Sequence, residues 1–290
     1  MQTIADYELI ESLGYGSYGQ FFLARKPSRL PVDVEFVAVK VFAGTSTADV
    51  FRRATRELKA FAAVRSPYIV TLYDAGRHDG VIYYSMEYLP GGSLAKPAAP
   101  VIMAAAARAV RDAALGAAGM HAAGLAHRDI KPGNILLGDG VAKLSDLGLA
   151  HVMLPGVSLT GMGSIASIEY TDPALLQGAP ANQATDVWSL GVTLHRVLSG
   201  QSIYGADLPT DDGLLALRKA LVTEPQITSG LPADAADLIA ACIGPAEQRP
   251  TAEEFAWQLD AMPSTALYAG PVIVAGQRVD HVMPLKPRGG

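Results

Sequence analysis

The sequence predicts an α+β protein of two unequal lobes, and two observations predict it. Strand-like runs crowd the first 85 or so residues: Tyr7–Leu13, Gln20–Ala24, Phe36–Val41, Ile69–Tyr73 and Val81–Met86, punctuated by Gly and Pro. From about residue 101 onward the apolar spacing becomes helical. Between the two regimes lies Glu87-Tyr88-Leu89-Pro90-Gly91-Gly92, which reads as a hinge. With 290 residues, half of them apolar, the chain can fill one large domain or two lobes.

The elements follow in order. Gly14-Tyr15-Gly16-Ser17-Tyr18-Gly19 has the spacing G-x-G-x-x-G. Dinucleotide-binding folds use the same spacing, but there a helix follows. Here the strand-like Gln20-Phe21-Phe22-Leu23-Ala24 follows, so the glycines sit in a strand-turn-strand. In such a turn the missing side chains let backbone N–H groups approach phosphates. Val37-Ala38-Val39 reads as a buried strand with Lys40 at its end, and residues 49–64 read as a helix carrying Glu57. Pro97 and Pro100 disfavour a full helix over residues 95–100. Val101 to Ala123 is rich in alanine, but Arg108, Arg111 and Asp112 interrupt it, so it predicts a soluble helix. No apolar run reaches the roughly 18 residues of a membrane span.

Four further stretches carry chemistry or punctuation. They are His127-Arg128-Asp129-Ile130-Lys131-Pro132-Gly133-Asn134, Lys143-Leu144-Ser145-Asp146-Leu147-Gly148, Asp186-Val187-Trp188-Ser189-Leu190-Gly191 and Arg249-Pro250-Thr251. In this order, after the glycine turn and Val37-Ala38-Val39-Lys40, they resemble the motifs of the eukaryotic-like (Hanks-type) Ser/Thr protein kinases. The resemblance is greatest to the bacterial members and covers roughly residues 7–261.

That resemblance implies a bilobal protein kinase fold, with a β-rich N-lobe containing helix αC and an α-helical C-lobe. The expected boundaries are an N-lobe over about 1–86, a hinge at 87–92 and a C-lobe over 93–262, followed by a tail at 263–290. It implies ATP with Mg²⁺ (or Mn²⁺) as cofactors and Ser or Thr hydroxyls of proteins as acceptors. Phosphoryl transfer asks mainly for positioning and charge neutralisation. Asp129 is the expected base, Lys131 the neutraliser of the transferring group, and Asn134 and Asp146 the metal ligands, both hard oxygen donors. Lys40 would hold the α- and β-phosphates and be held by Glu57. Gly14, Gly16 and Gly19 would cover the phosphates, and Phe21, Ala38 and Leu136 would enclose adenine. Met86 takes the gatekeeper position, and Glu87 and Tyr88 begin the adenine-binding hinge. Phe61, Leu72, Leu147 and His127 would form an apolar column that assembles together with the Lys40–Glu57 pair. Asp186 would brace the catalytic loop.

Several positions depart from the family pattern. Phe21 stands where valine is usual, and Leu147 where phenylalanine is. In the activation segment, 146–173, Ala166 and Ser167 replace the usual glycine and threonine, and Ala174 replaces a glutamate. That glutamate normally pairs with the arginine matched by Arg249, so Asp172 or Glu169 is expected to substitute. Ser167 is expected beside the catalytic base. Arg128 is the expected receiver of a regulatory phosphate, with Ser158 and Thr160 the candidate sites.

The net charge of −5, without a basic stripe, argues against a nucleic-acid partner. One cysteine, Cys242, fits a reducing compartment, and the absence of a basic n-region or apolar span predicts a cytoplasmic chain with no membrane contact. The tail's Val272-Ile273-Val274 is too apolar for a free end. It is expected to join a sheet edge, to dock on the C-lobe, or to lead towards a further partner. The expected activity is Ser/Thr protein phosphorylation, including that of its own activation segment. The alternatives are a catalytically silent nucleotide-binding signalling module and a small-molecule kinase of the same fold.

Overall fold

Alternating apolar residues in the first 90 positions build a six-stranded antiparallel sheet in the computed structural model, which describes residues 2–16, 19–147, 165–205, 207–209, 211–262, 272–274 and 277–279. Its strands are β1 (Gln2–Ile4), β2 (Tyr7–Gly16), β3 (Gly19–Arg25), β4 (Phe36–Phe42), β5 (Leu72–His78) and β6 (Val81–Glu87), in the order β1-β2-β3-β4-β6-β5. Period-two alternation sends Val37, Val39, Tyr83 and Tyr7 to one face, where they form a small core. It sends Ala38, Phe42, Tyr84 and Met86 to the other face, which joins the main core. Phe21, Lys40 and Tyr84 are direct cross-strand partners on β3, β4 and β6, so they stand in one row on that second face.

One helix, α1 (Ala48–Ala63), crosses from β4 to β5, and the Thr47 hydroxyl caps it by accepting from Val50 N. Residues 69–71, expected at the start of a strand, make a bridge from Ile69 to Leu144 instead, and β5 begins at Leu72.

Beyond the hinge no helix forms before residue 102. The short strands β7 (Gly92–Ser93) and β8 (Lys96–Pro97) occupy that stretch and pair with β9 (Ile135–Leu137) and β10 (Ala142–Leu144) in a second sheet, order β10-β9-β7-β8. The remaining core is helical: α2 (Met103–Ala122), α3 (Pro173–Leu176), α4 (Gln183–Ser199), α5 (Gly213–Val222), α6 (Ala233–Ile243) and α7 (Ala252–Ala261). At the centre stands α4, buried nearly all round, with polar Thr185, Asp186, Ser189, Thr193, His195 and Ser199 among its buried residues. Asn182 and Thr185 cap its start reciprocally, and Gly200, with φ of +70°, ends it. The Arg249-Pro250-Thr251 motif works locally as the cap of α7, with Thr251 and Glu254 forming a second capping box. Gly191 lets α4 approach α6 closely, because a Cβ there would lie 2.4 Å from Cys242 Cβ. In the tail, Val272–Val274 (β11) pairs with Gln277–Val279 (β12) as a hairpin of its own, and β11 lies against α2.

Candidate active site

The loop from His127 to Asn134 lies between α2 and β9 and is held from below by one carboxylate. Asp186, in the first turn of α4 and 1% exposed, accepts from His127 N at 2.7 Å, Arg128 N at 2.8 Å and His121 Nε2 at 2.8 Å. Arg128 adopts a φ of +73°, a left-handed conformation that costs a non-glycine residue about 1–3 kcal/mol. The Asp186 bonds offset that cost. The buried His127 ring reaches Ser145 O at 3.0 Å, which ties the loop to the Asp146 segment. Burial pulls the His127 pKa down and keeps the ring neutral.

On this frame Asp129 is gripped from two sides. The Lys131 ammonium donates to both Asp129 oxygens, at 3.0 and 2.9 Å, and to Ser167 Oγ at 2.6 Å. Asn134 Nδ2 donates to Asp129 O at 2.7 Å and to Oδ2 at 3.0 Å. Asn134 belongs to a 3₁₀ turn, Pro132–Asn134, that begins with proline, so the spacing from 129 to 134 is a local geometric consequence. The resulting cluster holds an ionisable oxygen and a hydroxyl, each within bonding distance of the same cation.

Across the cleft the arrangement differs from the expectation. Lys40 does not pair with Glu57. Its ammonium bonds to Asp146 Oδ1 and lies 5.1 Å from the Phe21 ring centre and 5.0 Å from that of Phe42. Glu57 stands instead beside Arg128, 3.7 Å from Oε2 to Nη1. The physical reason is burial: Lys40 is 2% exposed and Asp146 3%, so each needs a counter-charge at hand, whereas Glu57 is 29% exposed and partly solvated. Of the four residues expected in the apolar column, Phe61, Leu147 and His127 are buried and Leu72 is half-buried. Tyr84, also fully buried, donates its hydroxyl to Asp146 Oδ1 at 3.0 Å, and burial raises the phenol pKa well above its ordinary value.

A cavity of about 980 Å³ opens between the lobes, lined among others by Gly14, Gly16, Phe21, Ala38, Met86 and Leu136. The hinge residues Glu87, Tyr88 and Leu89 border it too. The Glu87 carboxylate itself is occupied by Lys143 Nζ, at 2.8 Å to each oxygen, and by Thr71 N at 2.6 Å, which leaves the hinge its backbone for a ligand. Gly19 does not line the cavity: a Cβ there would lie 2.4 Å from Val41 O, so strand pairing demands the glycine. Gly16 comes down onto the floor of the site, where a Cβ would lie 2.5 Å from Phe21 Cε2 and 3.2 Å from Asp146 Oδ2.

The residues present fit a divalent metal and a nucleotide. Asp146 Oδ2 is buried without a hydrogen-bond partner, an expensive position for a carboxylate oxygen unless a cation shares it. Asn134 spends its amide nitrogen on Asp129, which leaves its amide oxygen as the donor for a hard metal.

The peptide-side departures also resolve. Arg249, 6% exposed, pairs with Asp172 and donates to Ala184 O at 2.9 Å and Gly244 O at 2.9 Å. Asp172, not Glu169, thus takes the place opened at Ala174. Glu169 pairs with Arg196 at 2.9 Å, and Arg196 also reaches Asp207 at 2.9 Å. Ser158 and Thr160 lie outside the described residues. Sequence reasoning did not single out Tyr84. Its signal was the alternation Ile82, Tyr84, Met86, which places Tyr84 on the same face as the cavity-lining Met86.

Comparison with known proteins agrees with this geometry. The family model described as protein kinase domain matches residues 7–258. The chain is 34% identical to the serine/threonine-protein kinase PknJ of Mycobacterium tuberculosis over 214 residues, covering 70% of this chain and 36% of that protein. It is 31% identical to the serine/threonine-protein kinase PknB of Mycobacterium leprae over 239 residues, covering 79% and 38%. To the probable serine/threonine-protein kinase PkwA of Thermomonospora curvata it is 31% identical over 261 residues, covering 88% and 34%. The chain spans little more than a third of the length of the curated relatives it matches.

Proposed function

Because the chain belongs to the protein kinase family, beside its bacterial Ser/Thr members, we propose that it transfers the γ-phosphoryl group of ATP to Ser and Thr hydroxyls of proteins. The observation that carries this reading is the bonded cluster of Asp129, Lys131, Asn134 and Ser167, with the Asp146 segment tied to it where Ser145 N and Oγ donate to Asn134 O at 2.8 and 3.1 Å.

Each residue has a role that its contacts support. Asp129 sits where an acceptor hydroxyl can give up its proton, with Asn134 fixing the carboxylate plane. Lys131, bonded to Ser167 Oγ at 2.6 Å, carries positive charge to where negative charge moves in transfer. Ser167 sets the height of the acceptor by holding Lys131 towards the activation segment. Asp146 Oδ2 and the Asn134 amide oxygen would hold Mg²⁺, which when bound neutralises phosphate charge and orients the transferring group. Lys40 serves the phosphates once it leaves Asp146, and Glu57 is the acid available to receive it. Phe21, Ala38, Met86 and Leu136 offer flat apolar walls for a purine. Phosphorylation of Ser158 or Thr160 would supply Arg128 with a stronger counter-charge than Glu57. Among the described residues no helix is long and apolar enough to cross a membrane, and we place the domain in the cytoplasm.

The test is phosphate transfer from radiolabelled ATP to the chain itself and to a generic acceptor protein, followed by phospho-amino-acid analysis. Phosphoserine and phosphothreonine are expected. Asp129→Ala should lower the rate by a factor on the order of 10³ while leaving ADP affinity within about twofold. Full activity in that variant, or transfer only to a small molecule, overturns the reading.

A further inference from the structure

The buried phenol of Tyr84 has no place in the roles above, yet it meets the site's most consequential carboxylate. Its hydroxyl lies 3.0 Å from Asp146 Oδ1. A carboxylate only accepts, so the phenol is the donor. Asp146 Oδ1 thus takes two donors, Lys40 and Tyr84, and both come from the sheet. Oδ2 takes none and faces Gly16 under the glycine turn. The two donors differ in what they can do next. Lys40 is a flexible ammonium that must swing to the phosphates when nucleotide binds. Tyr84 is a rigid ring, 2% exposed, on the strand beside Lys40, with its ring centre 5.9 Å from that of Phe42. It cannot leave.

Resting on the nucleotide-and-metal reading of this site, we propose that Tyr84 is a positioning residue for Asp146. It fixes the carboxylate with Oδ1 turned to the sheet and Oδ2 presented to the cleft, and it does so after Lys40 has moved away. A metal-binding carboxylate is generally oriented by a second hydrogen-bonding partner, and loss of such a partner weakens metal binding about 10–100-fold. Asp146 also holds a φ of +60°, a strained conformation of the kind that persists where surrounding contacts over-determine it, and the phenol is one such contact.

The experiment uses the full chain as wild type, Tyr84→Phe, Lys40→Met and the double variant Lys40→Met/Tyr84→Phe. ADP affinity is measured by calorimetry in EDTA. Mn²⁺ uptake by the ADP complex is then followed through loss of the free-ion paramagnetic resonance signal. Tyr84→Phe should leave metal-free ADP affinity within about twofold and raise the Mn²⁺ concentration for half-saturation about 10–100-fold. The same rise should separate the double variant from Lys40→Met, because the phenol acts without the lysine. Unchanged Mn²⁺ uptake in Tyr84→Phe overturns the proposal and leaves the phenol a packing group. A gain in metal-free ADP affinity overturns it too, since the hydroxyl would then be a latch on the resting Lys40–Asp146 pair. So does an effect that vanishes in the Lys40→Met background. Wild type that takes up no Mn²⁺ with ADP would remove the metal reading itself, a result distinct from wild type and Tyr84→Phe binding alike.

Discussion

The two walls of the cleft are in different states of readiness. On the C-lobe side Asp129, Lys131, Asn134 and Ser167 are already bonded into one cluster, and Asp186 fixes the loop that carries them. On the N-lobe side Lys40 is spent on Asp146, Glu57 stands beside Arg128, and Gly16 lies close over Phe21 and Asp146 Oδ2. Apart from Ser167, which comes from 36 positions further on, the first wall is made of near neighbours in sequence, so one 3₁₀ turn and one brace assemble most of it. The second needs residue 40 from β4, residue 57 from α1 and residue 146 from the stretch after β10, and the buried pair Lys40 and Asp146 take each other. The first wall is thus fixed by local bonds, whereas on the second the charges have more than one pairing open to them.

The strongest way to break this contrast is to remove the brace. Asp186→Ala leaves two buried backbone N–H groups and His121 without their acceptor, and should cost about 3–5 kcal/mol in denaturant unfolding. Unchanged stability would mean that the loop holds itself, and the assembled wall would lose its explanation.

A second cut on the same side is Asp172→Ala. It strips a buried arginine of its carboxylate but leaves the Ala184 and Gly244 carbonyls and the Trp188 ring. A loss of about 3 kcal/mol is expected.

Acid should also act on the rigid side. His195, fully buried on α4, accepts from Thr228 N at 3.1 Å, and burial lowers its pKa from 6.5 to about 4. The folded state therefore keeps the ring neutral where the unfolded chain would protonate it. The resulting stability is intact above about pH 6.5 and is lost as pH falls towards 4, by about 3 kcal/mol in all. His195→Gln should flatten that part of the stability–pH curve; an equally steep curve would assign the acid loss to other groups.

The smallest effect belongs to the other wall. A double-mutant cycle on Glu57 and Arg128, each 29% exposed, should give a coupling below about 1 kcal/mol. A value of several kcal/mol would show a locked helix rather than an exchangeable partner, and would erase the contrast.

Legibility followed the same division. The octet His127–Asn134 specified its own cluster because its contacts span at most five positions before Ser167 is added. Asp172 was one of two candidates for Arg249, and packing against α4 and the cap of α7 decided between them. Lys40 with Glu57 was misjudged because sequence identifies which charges are available, not which of them the fold buries side by side. Tyr84 stayed hidden for another reason. A tyrosine in a strand reads as packing until the cross-strand register shows what its hydroxyl faces.

One close contact in the helical lobe has a practical side. Cys242 is the chain's one thiol, it is pressed against Gly191 between two helices, and burial pushes its pKa up to about 12. Maleimides and nitroxide reagents will therefore pass it by while the fold is intact. Tyr15, beside the glycine turn, is 85% exposed. A Tyr15→Cys protein offers a single reactive handle at the rim of the cleft, and no background cysteine need be removed before attaching a fluorophore that reports on nucleotide addition.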